Sequence, residues 1–434
     1  MEITLDEWDT HLASGQHLGN DPDVLELAEQ LSDSRKLSVR DIHREGVRFE
    51  SYSHVGRIAL GRFQITITPK IRGLPLLRLL RYAYRLRHLK LRKDLPTALE
   101  QQTFVELLLR QLVTEAEELF SRGLYRTYRR RDERLGSPRG RIQLGEYVRG
   151  GRQAQATVPC THFPRTPDTL LNRIVLSGLR LGATLTEDLD LRARLRRLAD
   201  QFRHDVSTVP LSLSLIEDAA TSISRLNKTY RPALELIRLL LEGMGGALSA
   251  RDSEIELPGF LFDMNRFFQD LLSRFLRENL AGWDIREEYR LRDAVRYAPG
   301  QNPRNRRMPV PRPDFALIRE GKVHAFFDAK YRDLWHNPLP RDMLYQLALY
   351  AMSNTREATT GRATILYPIV SSLEKPCPVP DQRLEILHPV TAQARAHITL
   401  RAVNLTRMAD LVARKDTVHS RRKRQNFAIA VCTA

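Results

Sequence analysis

The chain has 434 residues, 69 of them lysine or arginine against 52 aspartate or glutamate, so its net charge is +17 and its isoelectric point is near 10.1. This excess attracts a polyanion at long range, and its many arginines suit phosphate recognition. The first twenty residues lack a secretory core, no stretch is long enough to span a membrane, and three scattered cysteines (Cys160, Cys377 and Cys432) argue against a disulfide framework or a zinc site, so we expect a cytoplasmic protein of two or three domains.

Residues 1–72 are predicted to form a small antiparallel β unit, because short segments of alternating apolar residues are joined by turns. The predicted strands are 46–52, 55–60 and 63–68. Residues 73–250 are predicted to be mainly helical, since leucines recur at helical spacing. The predicted helical stretches are 74–87, 95–121, 170–203 and 231–248, with a loop or hairpin over 136–152.

Residues 251–434 are predicted to form an α/β domain around a mixed sheet, because the pattern alternates between helices and strands. The predicted elements are a helix over 264–276, a helix over 341–352, strands over 363–370, 383–387 and 397–403, and a closing helix over 405–413. The fold class is therefore α+β, with several domains.

A hairpin between the first two of these helices carries the most informative residues. Asp314 precedes an apolar strand, the turn lies at 319–322, and a second apolar strand leads to Asp328. Antiparallel pairing brings both carboxylates to one edge of the sheet, and Lys330 shares a face with Asp328 because it lies two residues further on.

This set of side chains suits hydrolysis of a phosphodiester. Carboxylates completed by water and phosphate oxygens hold Mg²⁺, so Asp314 and Asp328 are the predicted ligands. Lys330 is predicted to hydrogen-bond the attacking water or hydroxide and the oxyanion. An isolated D-x-K triplet is more often a solvated strand end, but the buried strand that Phe326 and Phe327 predict favours a functional site.

The helix predicted over 341–352 places Gln346 and Tyr350 on one face, where an amide and a phenol can reach a DNA phosphate or the attacking water. Alone, this pair is better explained as a helix face packed on the sheet. Arg304, Arg306 and Arg307 come just before the hairpin and are predicted to line the entrance to the site with positive charge, although most such basic runs are solvated surface.

In this order, Pro313-Asp314, Asp328-Ala329-Lys330-Tyr331 and Gln346 with Tyr350 resemble the PD-(D/E)xK nuclease core that has a Q-x-x-x-Y helix. Together with 261–268, 55–71 and 168–173, they resemble more narrowly McrC, the nuclease subunit of McrBC-type restriction systems. The resemblance covers most of the chain and is strongest over the nuclease core. It assigns 1–72 to partner docking, 73–250 to a helical middle region and 251–434 to the endonuclease domain.

The resemblance implies a Mg²⁺-dependent DNA endonuclease of a methylation-dependent restriction system. Its partner would be a McrB-like AAA+ GTPase ring, which binds GTP and recognises modified DNA. The chain itself has no P-loop sequence.

One position departs from the superfamily pattern, because Gln269 stands where many members have a metal-binding glutamate, and Asp270 is turned by about 100 degrees round the helix. We therefore expect one tightly held Mg²⁺. Two alternatives remain open, an activator of a AAA+ ring with a weak nuclease centre and a DNA-repair nuclease.

Overall fold

The computed structural model describes residues 1–86, 103–149, 157–244, 259–291, 294–308, 310–353, 361–371 and 379–432. Several features of the sequence analysis lie outside the described residues. They are the predicted helical positions 87, 95–102 and 245–248, the end of the predicted loop at 150–152, and Cys377.

The secondary structure of the described ranges is mixed. The strands are β1 (Glu2–Asp6), β2 (Thr10–Ser14), β3 (Leu37–Ile42), β4 (Gly46–Ser51), β5 (His54–Leu60), β6 (Phe63–Thr68), β7 (Thr127–Tyr128), β8 (Arg131–Leu135), β9 (Arg141–Ile142), β10 (Val158–His162), β11 (Arg165–Thr166), β12 (Gly259–Asp263), β13 (Asp284–Glu287), β14 (Phe315–Arg319), β15 (Lys322–Ala329), β16 (Gly361–Ile369), β17 (Gln382–Leu387) and β18 (Ala394–Asn404). The helices are α1 (Pro22–Asp33), α2 (Gly73–Ala83), α3 (Phe104–Ser121), α4 (Leu144–Arg149), α5 (Leu170–Leu185), α6 (Leu189–Arg203), α7 (Leu213–Thr221), α8 (Arg231–Gly243), α9 (Met264–Asn279), α10 (Arg341–Ser353), α11 (Leu405–Ala413) and α12 (Val418–Cys432), with a short 3₁₀ turn at Lys228–Tyr230.

The described residues form two compact units. One consists of Met1–Phe104 and Leu257–Ala434, and the other of Val105–Glu256. The regions that we predicted at 1–72 and 251–434 thus lie in the same unit, which the sequence analysis did not anticipate. Among the described residues, no helix has the length and apolar character needed to cross a membrane.

The amino-terminal strands form two sheets. One is the antiparallel sheet β2-β4-β3, and the other has the order β1-β6-β5-β12. The predicted antiparallel unit differs from the structure in two ways, because β1 pairs in parallel with β6 and β12 supplies a fourth strand from a distant part of the sequence. Gly56 permits that pairing, since its φ is +141° and a Cβ there would lie 2.0 Å from the Phe260 carbonyl oxygen.

The carboxy-terminal sheet has the order β13-β14-β15-β16-β18-β17. It is mixed, as predicted, because β15 and β18 both pair in parallel with β16 while β14 pairs antiparallel with β15. Helix α9 packs on β13 and β15, and α10 packs on β15, β16 and β18. The resulting core packs against the end of β15. Its buried residues include Phe326, Leu347, Ile365 and Ile398.

The second unit contains the helices α4 to α8, most of α3, and two small sheets. The stretch predicted to be helical over 170–203 is divided into α5 and α6, because Thr186 adopts an extended conformation and Asp188 caps the second helix through its carboxylate. Asn172 is buried in this unit and binds the Tyr230 hydroxyl at 2.5 Å.

Candidate active site

The hairpin β14–β15 positions the two predicted carboxylates. Phe315 pairs with Phe327 across the antiparallel ladder, so Asp314 and Asp328, one residue further along on each side, lie at the same edge of the sheet. The turn at the other end has Glu320 and Gly321 with φ values of +54° and +72°. Phe326 and Phe327 are each 2% exposed, and this confirms the predicted buried strand.

Lys330 links the two carboxylates. Its Nζ lies 2.9 Å from Asp328 Oδ2 and 3.9 Å from Asp314 Oδ2. Asp314 Oδ2 also accepts a hydrogen bond of 2.8 Å from the Ala329 amide. Asp314, Asp328 and Lys330 are therefore brought together as the sequence predicted, within a network that holds the two carboxylates beside each other.

The electrostatics of this group follow from its burial. Burial and the neighbouring Asp328 carboxylate raise the pKa of Asp314 to about 7, against the opposing effects of Lys330 and the Ala329 amide. For Lys330, burial acts to lower the pKa, but the carboxylates of Asp328 and Asp314 outweigh it and the pKa is raised. Lys330 therefore stays protonated and partly neutralises a pair of carboxylates that repel each other.

The residues at this edge fit a Mg²⁺ ion. Asp328 is 2% exposed, and its Oδ1 has no hydrogen-bond partner among the described residues, which is unfavourable unless a cation satisfies it. No cluster of three or more His, Cys, Asp or Glu side chains that could hold a metal exists in the part of the chain that the structure describes. Two carboxylates completed by water and phosphate oxygens are the donor set that Mg²⁺ accepts.

Gln346 and Tyr350 differ in their surroundings. Gln346 lines a cavity beside the carboxylates, and its Nε2 donates a hydrogen bond of 2.6 Å to the Tyr350 hydroxyl. Tyr350 is 1% exposed, contacts Phe326, and has its pKa raised by burial. The geometry therefore presents Gln346 to the cavity and makes Tyr350 the group that orients it.

Residues of the candidate site line this cavity, which has a volume of about 870 Å³. Its lining contains Asp314, Lys330 and Gln346 together with residues from the amino-terminal part of the chain. Those residues are Trp8, Ser34, Arg35, Tyr52, Ser53 and His54. The amino-terminal segment thus forms one wall of the candidate active site.

Hydrogen bonds connect that wall to the strand end. Asn265, near the start of α9, donates to Ser53 Oγ and accepts from the Tyr331 amide, each at 2.8 Å. Trp8 Nε1 donates to the Tyr331 carbonyl oxygen at 2.9 Å, and Arg332 covers the Trp8 ring with its Cζ 4.9 Å from the centroid. The residues just after Lys330 are therefore held on both sides.

The three arginines that were predicted at the entrance to the site do not line the cavity. Arg304, Arg306 and Arg307 are exposed in the loop before β14, and none of them lines the cavity. Gln269 does line it, whereas Asp270 accepts a hydrogen bond from the Tyr84 hydroxyl at 3.4 Å and does not. Gln269 therefore faces the same cavity as Asp314, and Asp270 does not.

Four residues of the cavity lining were not predicted from the sequence, namely Trp8, Arg35, Tyr52 and Asn265. Asn265 alone had a signal, since it belongs to the quoted 261–268 segment and lies where a capped helix begins. Asp263 caps α9 through hydrogen bonds to the amides of Asn265 and Arg266. The other three lie far from Asp314 in the chain, and no local pattern relates them to it.

Comparison with known proteins now identifies the family. The family model of the "McrBC 5-methylcytosine restriction system component" matches residues 48–368, which include the hairpin and most of the cavity lining, but not Trp8, Ser34 or Arg35. The chain belongs to the McrBC family. No curated protein matches it significantly.

The chain also resembles solved structures in its fold. The chain is similar to one from the refined half-complex of the tetradecameric assembly of Thermococcus gammatolerans McrB AAA+ hexamers with bound McrC. The TM-score is 0.63, the identity is 19%, and the match covers 99% of this chain and 100% of the other. A chain of the Thermococcus gammatolerans McrBC complex, determined by cryo-electron microscopy, matches with a TM-score of 0.46 and 21% identity over 66% of this chain and 90% of the other.

Proposed function

We propose that this McrBC-family chain is the nuclease subunit of a methylation-dependent restriction system and hydrolyses DNA phosphodiester bonds with Mg²⁺. The observation that carries the proposal is the group of Asp314, Asp328 and Lys330, largely buried at one sheet edge beside a cavity. Structural ion pairs usually keep their partners satisfied, whereas Asp328 Oδ1 is left without one among the described residues. This arrangement favours the PD-(D/E)xK interpretation of the hairpin.

Each side chain has a defined part in the proposed reaction. Asp314 and Asp328 hold the Mg²⁺ ion, which when bound stabilises the negative charge that develops on the phosphate. Lys330 donates hydrogen bonds to the attacking water or hydroxide and to the oxyanion. Gln346 donates to a phosphate oxygen, and Tyr350 fixes its orientation.

The proposed partner is a McrB-like AAA+ GTPase ring. The support is the Thermococcus gammatolerans structure, in which McrC is bound to McrB AAA+ hexamers. In the proposed system the ring binds GTP and recognises methylated DNA, and this chain cuts the DNA. Docking through residues 1–72 is part of the proposal, although this segment also lines the cavity.

A plasmid cleavage assay tests the proposal. Methylated and unmethylated plasmids are incubated with the purified full chain, Mg²⁺ and GTP, with and without the proposed McrB-like partner. We expect cutting of the methylated plasmid only when both proteins and Mg²⁺ are present. If the complex assembles and hydrolyses GTP but never cuts, the nuclease assignment is wrong.

One observation favours a second candidate function. Gln269 lines the cavity where a third carboxylate would strengthen metal binding. The chain would then act chiefly as an activator of the AAA+ ring with a weak nuclease centre. Gln269→Glu separates the two cases, because a large gain of cleavage in the variant over a barely detectable wild-type rate is expected only of a weak centre.

A further inference from the structure

The cavity beside Asp314 and Lys330 is larger than a metal site requires. Its volume of about 870 Å³ lies within the range of roughly 300–1,000 Å³ in which proteins bind small organic molecules. Asp314, Lys330 and Gln346 occupy only part of its lining, and the amino-terminal segment forms another part. The nuclease chemistry described above uses none of the side chains on that wall.

The cavity lining combines aromatic rings with cations. Trp8 and Tyr52 lie with ring centroids 5.8 Å apart, edge to face, and the Arg332 guanidinium covers the Trp8 ring. The lining carries the cations Arg35, Lys330 and Arg332 against the carboxylates Asp314 and Asp342. Proteins that bind single nucleic-acid strands use aromatic and guanidinium groups of this kind to stack bases and attract phosphates.

Arg35 is available to a ligand. Its side chain is exposed at the cavity and has no hydrogen-bond or ion-pair partner among the described residues. It follows the C-cap of α1 in the left-handed conformation, with φ of +52°, at a position where glycine is the usual residue. Trp8 is also left-handed, with φ of +62°. Two large side chains are thus kept at the cavity in a backbone conformation that is costly for them.

We propose that this cavity is a subsite for a nucleotide of the DNA strand that flanks the scissile phosphate, with Trp8 as the stacking surface and Arg35 as the phosphate ligand. The inference rests on the proposed nuclease function and assigns its substrate contacts. The amino-terminal segment then contributes directly to substrate binding, in addition to its proposed docking function. Hydrogen bonds of Tyr331 to Trp8 and Asn265 also connect the subsite to the residue that follows Lys330.

The test measures DNA binding and cleavage separately. Binding of a fluorescent oligonucleotide to the full chain is followed by anisotropy with Ca²⁺ in place of Mg²⁺, and cleavage by the complex gives KM and kcat. The main variant is Arg35→Gly, because glycine relieves the left-handed strain and the variant is expected to fold at least as well as wild type. Arg44→Gly, at an exposed arginine whose φ is also positive at +81°, is the matched surface control.

We expect Arg35→Gly and Trp8→Leu each to weaken binding by about fivefold or more and to raise KM more than they lower kcat. Trp8→Phe, which keeps a ring, should retain most of the binding. Wild-type affinity and KM in both Arg35→Gly and Trp8→Leu would overturn the inference. Loss of assembly with the AAA+ partner while DNA binding stays intact would overturn it too, because the cavity would then hold a protein segment.

These outcomes differ from a failure of the proposed function. If wild type binds the oligonucleotide but never cuts, and Arg35→Gly loses that binding, the subsite stands and the nuclease assignment falls. If wild type cuts and the variants cut equally well at low DNA concentration, the nuclease assignment stands and the subsite is wrong.

Discussion

Lys330 Nζ lies 2.9 Å from Asp328 Oδ2, in an ion pair where the carboxylate is only 2% exposed and the lysine side chain 26%. A buried ion pair stabilises a fold weakly, because desolvation of both charges offsets much of their attraction. The second oxygen of Asp328 has no partner among the described residues. The pair is therefore better explained by the chemistry it can perform than by its contribution to stability.

Divalent cations are expected to stabilise the protein. A metal that binds the native state alone raises its stability, by about 2.7 kcal/mol at a concentration one hundred times the dissociation constant. Thermal unfolding of the full chain should therefore shift upward with Mg²⁺ or Mn²⁺, and the shift should vanish in Asp314→Asn and Asp328→Asn. Glu320→Gln, in the exposed turn at the other end of the hairpin, should respond like wild type. An equal shift in all four proteins would place the metal elsewhere.

Glu7 should make stability depend on pH. Burial raises its pKa from near 4.5 to about 8, against a hydrogen bond from the Lys70 amide. The folded state holds the proton of Glu7 more tightly than the unfolded state does. The resulting contribution of Glu7 to the free energy of unfolding is therefore fully present below pH 4.5 and is lost as the pH rises through 8. The stability of Glu7→Gln relative to wild type should therefore increase between pH 5.5 and 8.5, by about 3 kcal/mol.

Denaturant unfolding at pH 5.5 and 8.5 measures the difference in stability between Glu7→Gln and wild type. Glu2→Gln, at an exposed glutamate, is the control. A Glu7→Gln variant whose free energy of unfolding follows that of wild type at both pH values would contradict the assignment.

Asp168 should have the opposite pH dependence in the second unit. Hydrogen bonds from Arg173 and from Ser207 hold its pKa well below the usual 3.8, although burial opposes them. Its contribution is therefore present above pH 3.8 and is lost as the pH falls below that value. Asp168→Asn should cost about 1–2 kcal/mol at pH 7 and progressively less in acid. Asp200→Asn, on the exposed face of α6, serves as control, and an equal cost for both variants would show that the ion pair contributes nothing.

The exposed arginines before β14 should contribute to DNA affinity through charge alone. If Arg304, Arg306 and Arg307 each contact a phosphate, replacing all three by alanine should reduce the slope of log affinity against log salt by about 2.7. Cleavage at saturating DNA should change little, because none of the three lines the cavity. An unchanged slope in titrations at several salt concentrations would show that they are solvated surface.

Local patterns made the hairpin predictable. Asp314, Asp328 and Lys330 lie within seventeen residues, where strand alternation and one turn determine which side chains meet. The same holds for α10, which begins and ends within one residue of the prediction. The parallel pairing of β1 with β6 and the addition of β12 were not predictable in this way, because short alternating segments do not specify distant partners.

The amino-terminal wall of the cavity could not be predicted from the sequence either, because local patterns do not specify contacts between distant residues. Trp8 and Tyr331 are separated by 323 positions, and Asn265 and Tyr331 by 66. A tryptophan between a glutamate and an aspartate carries no sign of such a contact. The missed residues are thus those whose function depends on tertiary packing, while the residues found are those of one supersecondary unit.

The most direct test of the nuclease assignment compares two lysines of one hairpin. Lys322 is exposed where β15 begins, and Lys330 follows its end beside Asp328. Cleavage of methylated plasmid is measured for Lys330→Ala and Lys322→Ala with the AAA+ partner, GTP and Mg²⁺. We predict a loss of about 100-fold or more for Lys330→Ala, with wild-type GTP hydrolysis, and no loss for Lys322→Ala. Cleavage by Lys330→Ala at the wild-type rate would contradict the account.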